Sequence, residues 1–279
     1  MSGRAENPDR RRFGIVLLTV ILLAVPHASS AQTQDTLQTD KSVFVAGDAV
    51  LAAGFVAATI AAAPVDRWLT RSLQDEARQA NRILRTGSDV GRVWGFPGTL
   101  IAAGGIYLAG TASGERRVQD LGLHAGGAVL LSTLITGGIK AVAGRARPHV
   151  DTANARDFKL FRGISSDDYQ SFPSGHSTAA FAFASVVTSE TSHWWPEGRW
   201  PVGALTYGTA TITALSRIYN KQHWASDVIA GAAIGTLTGL KVFRYQHSHP
   251  ENRIDNTLLR AGLQSNGGKW SVLITRVAR

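Results

Sequence analysis

The sequence contains no cysteine, and its acidic residues are few. Without thiols the chain can form neither disulfides nor thiolate metal sites, and it has no cysteine nucleophile. Twenty acidic residues stand against 29 lysines and arginines, a net charge of +9 that favours an anionic partner such as phosphate, nucleic acid or a lipid headgroup. No lysine- and arginine-rich block interleaved with aromatic residues occurs, which argues against nucleic acid as that partner.

Hydrophobic residues make up 44% of the 279 residues, so the chain can bury a sizeable core. Its first segment, residues 1–31, is typical of a secretory signal peptide. Three arginines precede the apolar stretch from Phe13 to Val25, and the small residues Ser29-Ser30-Ala31 follow it. We therefore expect an exported protein, with an uncleaved membrane anchor as the alternative for this segment.

Long apolar segments organise the rest of the chain. Residues 32–92 hold an alanine-rich stretch from Val43 to Ala63 and then an amphipathic helix in which apolar residues recur between arginines. Residues 93–243 contain two stretches long enough to span a membrane, Val93 to Ser113 and Leu121 to Ile139, and three further helical segments rich in small residues. The sequence thus predicts an all-α fold, a membrane-embedded bundle of about six core helices.

The tail, residues 244–279, is basic and differs from the bundle. Two β-prone segments, Thr257 to Leu263 and Trp270 to Val277, flank Asn266-Gly267-Gly268, which predicts a short C-terminal β-hairpin. His247 and His249 also lie in this tail. Two histidines with neither a carboxylate nor a third ligand beside them are more often solvated than metal-bound, so we expect no metal there.

Three clusters of chemically active residues lie in order along the core. They comprise eleven positions, namely Lys140, Arg147, Pro148, Pro173, Ser174, Gly175, His176, Ser216, Arg217, His223 and Asp227. Eleven identities at fixed internal spacings are far less plausible as coincidence than a lone glycine-rich motif. Lys140, Arg147 and Arg217 can neutralise the charge of a phosphoryl group, the arginines through bidentate hydrogen bonds. The set therefore indicates phosphoryl chemistry.

The other residues of the set can hold an anion and attack it. Ser174, Gly175 and His176 open an apolar run, so we expect their backbone N–H groups at a helix N-terminus, where the helix dipole favours an anion. His223 and Asp227 are four residues apart and share one face if a helix begins near His223. The Asp227 carboxylate can then accept one imidazole N–H and leave the other nitrogen free to attack. His176 can protonate the leaving oxygen.

All eleven positions match the motif of the type 2 phosphatidic acid phosphatase superfamily, which this sequence resembles over residues 140–227 and, by helix layout, over about 93–243. That superfamily also includes bacterial acid phosphatases and vanadium haloperoxidases. The resemblance implies that His223 is the nucleophile, Asp227 its orienting carboxylate and His176 the general acid. It assigns phosphate binding to Lys140, Arg147, Ser174, Gly175 and Arg217. It also implies hydrolysis without a metal or another cofactor.

The predicted function is hydrolysis of a phosphomonoester or diphosphate through a phosphohistidine intermediate. The apolar helices around the site favour a lipid substrate. A soluble periplasmic acid phosphatase with broad specificity, a vanadium haloperoxidase and a non-catalytic phospholipid-binding protein are the alternatives. The intact His223 and Asp227 argue against the last of these, because binding alone needs neither a nucleophile nor an orienting carboxylate.

The sequence alone gives conflicting indications of membrane topology. If the signal is cleaved and residues 43–63, 93–113 and 121–139 all cross, Lys140 lies in the cytoplasm. Six arginines between Arg67 and Arg92 favour the same orientation. Membrane members of the superfamily keep this site outside. We therefore expect that 43–63 does not cross, and that the site faces the periplasm from the inner membrane or belongs to a soluble periplasmic protein.

Overall fold

The computed structural model describes residues 42–249 and two strands further on, so the expected signal segment 1–31 lies outside the described residues. Nine α-helices occur in the described part. They are α1 Ala46–Ala62, α2 Asp66–Leu73, α3 Glu76–Ala80, α4 Arg82–Val93, α5 Thr99–Ser113, α6 Arg116–Ala143, α7 Gly175–Trp194, α8 Arg199–Tyr219 and α9 Ala225–Ser248. Short 3₁₀ turns lie at Ala63–Val65, Arg162–Ile164, Asp167–Tyr169 and Pro196–Gly198. The predicted helical bundle is confirmed.

Helix α7 is the centre of the bundle and packs against α6, α8 and α9. Small residues allow α9 to approach it closely. A Cβ atom at Gly235 would lie 2.3 Å from the Thr178 carbonyl oxygen, and one at Gly239 would lie 2.6 Å from the Ser185 Cβ atom. Such glycines at a spacing of four residues let two helix backbones pack together, as the abundance of small residues in these segments suggests.

Helices α1 and α2 run antiparallel to α9 along most of its length. At the start of α1 the carboxylate of Asp48 contacts Lys241 and Arg244, and at the start of α2 the carboxylate of Asp66 accepts a hydrogen bond from the Ser226 N–H at 2.9 Å. The stretch 43–63 therefore packs within the bundle and extends along most of the length of α9. This arrangement argues against the expectation that it does not cross with the other helices.

Four helical stretches are long and apolar enough to cross a membrane. They are Ala46–Leu73, Arg82–Ser113, Arg116–Ala143 and Ala225–Ser248. Large apolar side chains on α5 and α6 point outward, with Ile101 70% and Leu134 74% exposed. A surface of this kind faces lipid in a membrane protein, as the sequence predicts.

Two helices expected from the sequence are interrupted. The amphipathic stretch 66–92 forms α2, α3 and α4, because the side chains of Asp75 and Asn81 cap new helices by accepting hydrogen bonds from backbone N–H groups. The stretch 93–113 kinks at Trp94–Gly98, where Gly95 and Phe96 have non-helical dihedral angles before Pro97.

The C-terminal β-hairpin is confirmed. Strand β1 Ala261–Asn266 pairs antiparallel with β2 Lys269–Ile274, and Asn266 lies opposite Lys269. Both strands begin and end within about four residues of the predicted segments.

Candidate active site

The three motif clusters meet at one end of the bundle, which we call the motif end. Lys140 lies in the last turn of α6, and Arg217 lies in the last turn of α8. His176 is in the first turn of α7, and Asp227 is in the first turn of α9. His223 lies in the connection between α8 and α9. Since α6 and α8 end where α7 and α9 begin, residues far apart in sequence share one site.

Ser174 caps the N-terminus of α7. Its hydroxyl oxygen accepts hydrogen bonds from the Ser177 hydroxyl at 3.0 Å and from the Ser177 N–H at 3.4 Å. Its own N–H donates to the Asp227 carbonyl oxygen at 2.9 Å. The first N–H groups of the helix, at Gly175 and His176, have no intrahelical acceptor and can bind an anion. A Cβ at Gly175 would lie 3.7 Å from Lys140 Cε, so this N-terminus faces the lysine.

His223 is buried and holds one defined tautomer. Its Nδ1 atom lies 2.6 Å from the Ser171 carbonyl oxygen, which can only accept, so Nδ1 carries the proton and Nε2 keeps its lone pair. Burial and the nearby positive charge of Lys140 lower the pKa of His223 to about 3. The imidazole is therefore neutral at ordinary pH, the state that a nucleophile requires.

The expected direct hydrogen bond between His223 and Asp227 is replaced by an indirect one. The Asp227 Oδ2 atom lies 3.8 Å from His223 Nδ1, too far for a hydrogen bond. Helix α9 begins at Ala225, two residues after His223, so His223 lies outside the helix and the two side chains do not stack one turn apart. Ser171 joins them instead: its carbonyl accepts from His223, and its hydroxyl donates to Asp227 Oδ2 at 2.5 Å.

Asp227 belongs to a buried charge network that the sequence analysis missed. Arg145 donates to Asp227 Oδ1 at 2.5 Å and to Asp66 Oδ2 at 2.8 Å. Asp66 also accepts the N–H and hydroxyl of Ser226 at 2.9 and 2.7 Å. All four side chains are buried, so each charge is stabilised by these partners rather than by water. Helix α2 is thereby connected to the carboxylate of the site.

The three predicted cations differ in how their donors are used. Lys140 donates to the Gln170 carbonyl oxygen, and Arg147 donates to the Gln222 side-chain oxygen. In the described residues the Nε and Nη1 atoms of Arg217 are buried and have no hydrogen-bond partner. Burial, followed by the charges of Arg147 and Arg92, lowers the pKa of Arg217 to about 10. A buried cation with unused donors points to an anion that completes the site.

His176 packs against the kink before α5. A Cβ atom at Gly95 would lie 2.2 Å from its Cδ2 atom, so only glycine allows this approach of the backbone to the ring. Burial and the charges of Arg217, Lys140 and Arg147 lower the pKa of His176 to about 4. A phosphate dianion bound among these cations would offset their charge and raise the pKa of the imidazole, as proton donation requires.

Comparison with known proteins supports these observations. The family model of the PAP2 superfamily matches residues 121–250, a segment that contains every predicted site residue. The chain is 35% identical over 116 residues to lipid A 1-phosphatase of Porphyromonas gingivalis, covering 40% of this chain and 21% of that protein. It is 29% identical over 120 residues to lipid phosphate phosphatase gamma of Arabidopsis thaliana, covering 41% of this chain and 49% of that protein.

Among solved structures, this chain is similar to a transmembrane PAP2 type phosphatidylglycerolphosphate phosphatase from Bacillus subtilis. The sequence identity is 21% and the TM-score is 0.34. That match covers 68% of this chain and 96% of the other. The chain spans about a fifth and about half of the two curated relatives named above.

The segment that matches the PAP2 family model does not contain the whole site. Asp66 and Gly95 precede residue 121, yet Asp66 contacts Ser226 and Gly95 contacts His176. The signal that could have identified Asp66 is its position as the first residue of α2, between an apolar and a basic segment. Arg145 lies two residues before Arg147 in the connection between α6 and α7, and its burial distinguishes it from a solvated arginine.

Proposed function

We propose that this protein is a metal-independent phosphatase that transfers a substrate phosphoryl group to His223 and then to water. The buried Nε and Nη1 atoms of Arg217, which have no hydrogen-bond partner among the described residues, carry this proposal. They call for an anion near a histidine whose proton is already committed to a carbonyl. Lys140, Arg147 and the N-terminus of α7 supply the remaining positive potential.

The reaction would proceed in two balanced steps. In the first, the lone pair of His223 Nε2 attacks phosphorus, the bond to the leaving oxygen breaks, and protonated His176 gives its proton to that oxygen. In the second, water attacks the phosphohistidine, neutral His176 accepts a proton from the water, and the P–N bond breaks to release phosphate. Asp227, acting through Ser171, stabilises the positive charge on His223 in the first step.

A lipid is the proposed substrate. The loop between α6 and α7 lies beside Lys140, since a Cβ atom at Gly163 would come within 2.1 Å of the Lys140 carbonyl oxygen. This loop exposes large apolar side chains, with Leu160 72% and Ile164 71% exposed. Apolar side chains at the entrance of a charged site suit a substrate with a phosphate head and a hydrocarbon tail. The relatives named as lipid A and lipid phosphate phosphatases support the same class.

The proposal is tested by trapping the phosphoenzyme. Purified protein in detergent is mixed with ³²P-labelled phosphatidic acid, quenched in base because phosphohistidine is acid-labile, and assayed for protein-bound label and released phosphate. His223→Ala should lose both signals, because no other residue at the site is placed to act as nucleophile. His149→Ala is the matched control, since His149 lies at the same end of the bundle but is exposed and bonded to Asp168 and the Lys221 carbonyl. An undiminished burst in the His223 variant would overturn the assignment.

A substrate panel separates a lipid phosphatase from a soluble acid phosphatase. The wild-type protein should prefer phosphatidic acid or an isoprenoid diphosphate in mixed micelles over glycerol phosphate by kcat/KM. Equal values for lipid and soluble phosphoesters would favour the broad-specificity alternative.

We also propose that the motif end faces the periplasm. Because α1 runs from the opposite end of the bundle toward the motif end, this orientation places the start of α1 in the cytoplasm and requires that the segment 1–31 does not carry the chain across the membrane. A pair of engineered cysteines tests this orientation in the cysteine-free chain. Val150 lies at the motif end, and Ser113 lies at the end of α5, on the opposite side of the bundle; both are exposed. In intact cells with a permeabilised outer membrane, an impermeant maleimide should label Val150→Cys and spare Ser113→Cys. The reverse pattern would place the site in the cytoplasm.

A further inference from the structure

A second cluster of chemically active residues lies at the end of the bundle opposite the motif end. His124 of α6, Glu190 of α7 and His247 of α9 converge there, with one ligand atom from each residue lying within 4.8 Å of the other two. The His124 Nδ1 atom lies 2.5 Å from Glu190 Oε1, and His247 Nε2 lies 3.1 Å from both carboxylate oxygens. Sixteen residues of α6 separate His124 from Lys140, about 24 Å at ~1.5 Å per residue. The cluster is therefore separate from the phosphate site.

Two of the three side chains in this cluster, His124 and Glu190, are buried, which is unusual for charged or titratable groups. His124 is 5% exposed and Glu190 is 3% exposed, whereas one edge of His247 reaches solvent. A buried carboxylate is retained when charged or hydrogen-bonding partners compensate for its lost hydration. Here two imidazoles from two different helices provide that compensation.

The cluster also opens onto a cavity. The cavity is lined by Arg117, Asp120, Glu190, His193, Trp194 and His247. The ring of His193 packs on the ring of His247 with centroids 4.5 Å apart, which holds His247 in its orientation toward Glu190. An ion and its water ligand could thus reach Glu190 and His247 from the cavity, with His124 Nδ1 2.5 Å from Glu190 Oε1 behind them.

We propose that His124, Glu190 and His247 form a binding site for one borderline divalent cation of the Zn²⁺ class. Two imidazole nitrogens and one carboxylate are a ligand set typical of zinc, and the cavity leaves a fourth position for water. Ligands bonded to zinc at ~2.0–2.2 Å lie roughly 3.3 Å apart in a tetrahedron, so the three groups need to move by only about 1 Å. The absence of cysteine throughout the sequence excludes a competing thiolate site.

The structure gives His247 the carboxylate neighbour that the sequence did not show, because Glu190 lies 3.1 Å from its Nε2 atom. The missing ligands come from helices that are 57 residues or more away in sequence, so the local pattern of the tail did not reveal them. His249 does remain outside the cluster, since its Nδ1 atom bonds to the Tyr245 carbonyl and the Ser248 hydroxyl.

The role of the cation follows from the three helices that it joins. Helices α6, α7 and α9 carry Lys140, His176 and Asp227 at their motif ends. A metal at the opposite end would fix these helices relative to one another without touching substrate. It is thus a structural site, whose loss should affect thermal stability more than chemistry.

The test uses Zn²⁺ alone as the probe. Full-length protein with a histidine-free tag is stripped with EDTA in detergent, and Zn²⁺ binding is measured by calorimetry and by metal content after dialysis. The wild-type protein should bind one Zn²⁺ per chain, and a hundredfold excess of Zn²⁺ over its Kd should raise Tm by about 5–10 °C. His247→Ala and Glu190→Gln should each weaken binding at least about tenfold and abolish the Tm shift.

Two control variants make the outcome decisive. His249→Ala removes a neighbouring histidine outside the cluster, and His223→Ala removes the nucleophile at the other end; both should bind Zn²⁺ like the wild type. Because His247 is partly exposed, His247→Ala is expected to fold even if Glu190→Gln does not. It then provides the test of Zn²⁺ binding by itself. Absence of stoichiometric binding in the wild type, or unchanged binding in His247→Ala, would overturn the proposal.

Discussion

Asp66 lies in a helix that precedes the segment 121–250 matched by the PAP2 family model, yet its substitution should impair catalysis. Its side chain is fully buried and accepts three hydrogen bonds, one from Arg145 and two from Ser226. Asp66→Asn removes the charge and places an NH₂ group where an oxygen now accepts. Arg145 would then keep only Asp227 as a charged partner. Breaking a buried ion pair by removing one partner costs about 3–5 kcal/mol.

The lower end of that range applies because Asp227 still pairs with Arg145. A loss of about 3 kcal/mol corresponds to a fall in Tm of roughly 6–12 °C for a chain of this size. Arg145 is also expected to shift toward Asp227 and disturb the Ser171 bridge to His223. Misplacement of reacting groups by about 1 Å can cost up to ~10²-fold in rate, so we expect kcat to fall tenfold to a hundredfold.

The matched control is Asp48→Asn. Asp48 is also a buried carboxylate at a helix start, paired with Lys241 and Arg244 of α9, but at the end opposite the motif. Thermal unfolding in detergent and steady-state kinetics at 20 °C are measured for both variants. Both should lose stability, whereas only Asp66→Asn should lose kcat at a temperature where both are folded. Equal kcat for the two variants and the wild type would refute the reasoning.

Four further predictions concern the site itself. Arg217→Ala should reduce kcat/KM by about 10²–10³, as expected for a lost transition-state donor, and an effect of tenfold or less would make this arginine peripheral. His176→Ala should reduce turnover of alkyl phosphates far more than that of nitrophenyl phosphate, and equal losses would contradict its role as acid. Because bound phosphate raises the pKa of His176 from about 4, the alkaline limb of kcat should lie at higher pH than that of kcat/KM in the wild type. Vanadate should inhibit competitively and EDTA should leave turnover unchanged, while efficient peroxide-dependent bromide oxidation by the vanadate-loaded protein would favour the haloperoxidase alternative.

Sequence spacing was sufficient to identify the residues that meet at the motif end. Lys140, His176 and Asp227 lie at ends of helices whose apolar lengths are visible in the sequence, and antiparallel packing of such helices brings alternate ends together. The short hairpin was visible for a similar reason, since its turn and strand residues are contiguous. Local chemistry thus determines these features.

The features that sequence could not predict depend on long-range pairing of buried charges. Arg145 meets Asp66 across 79 residues and Asp227 across 82 residues, and no periodic pattern links them. His124 and Glu190 are similarly separated by 66 residues. The kink at Gly95 was missed because the uncharged stretch looked continuous, although Pro97 within it removes a backbone donor. Such contacts arise only once helices are packed.

The hydrogen bond from His223 to the Ser171 carbonyl has a consequence for how the site tolerates mutation. A carbonyl of the main chain is present whatever side chain occupies position 171, so substitution cannot remove the acceptor that fixes the tautomer of His223. The orientation of the His223 imidazole, the proposed nucleophile, is thus protected from substitution at position 171, whereas its electrostatic support from Asp227 depends on side chains. Substitutions that accumulate at this site are therefore expected to change the reaction rate before they change which nitrogen of His223 is free to react.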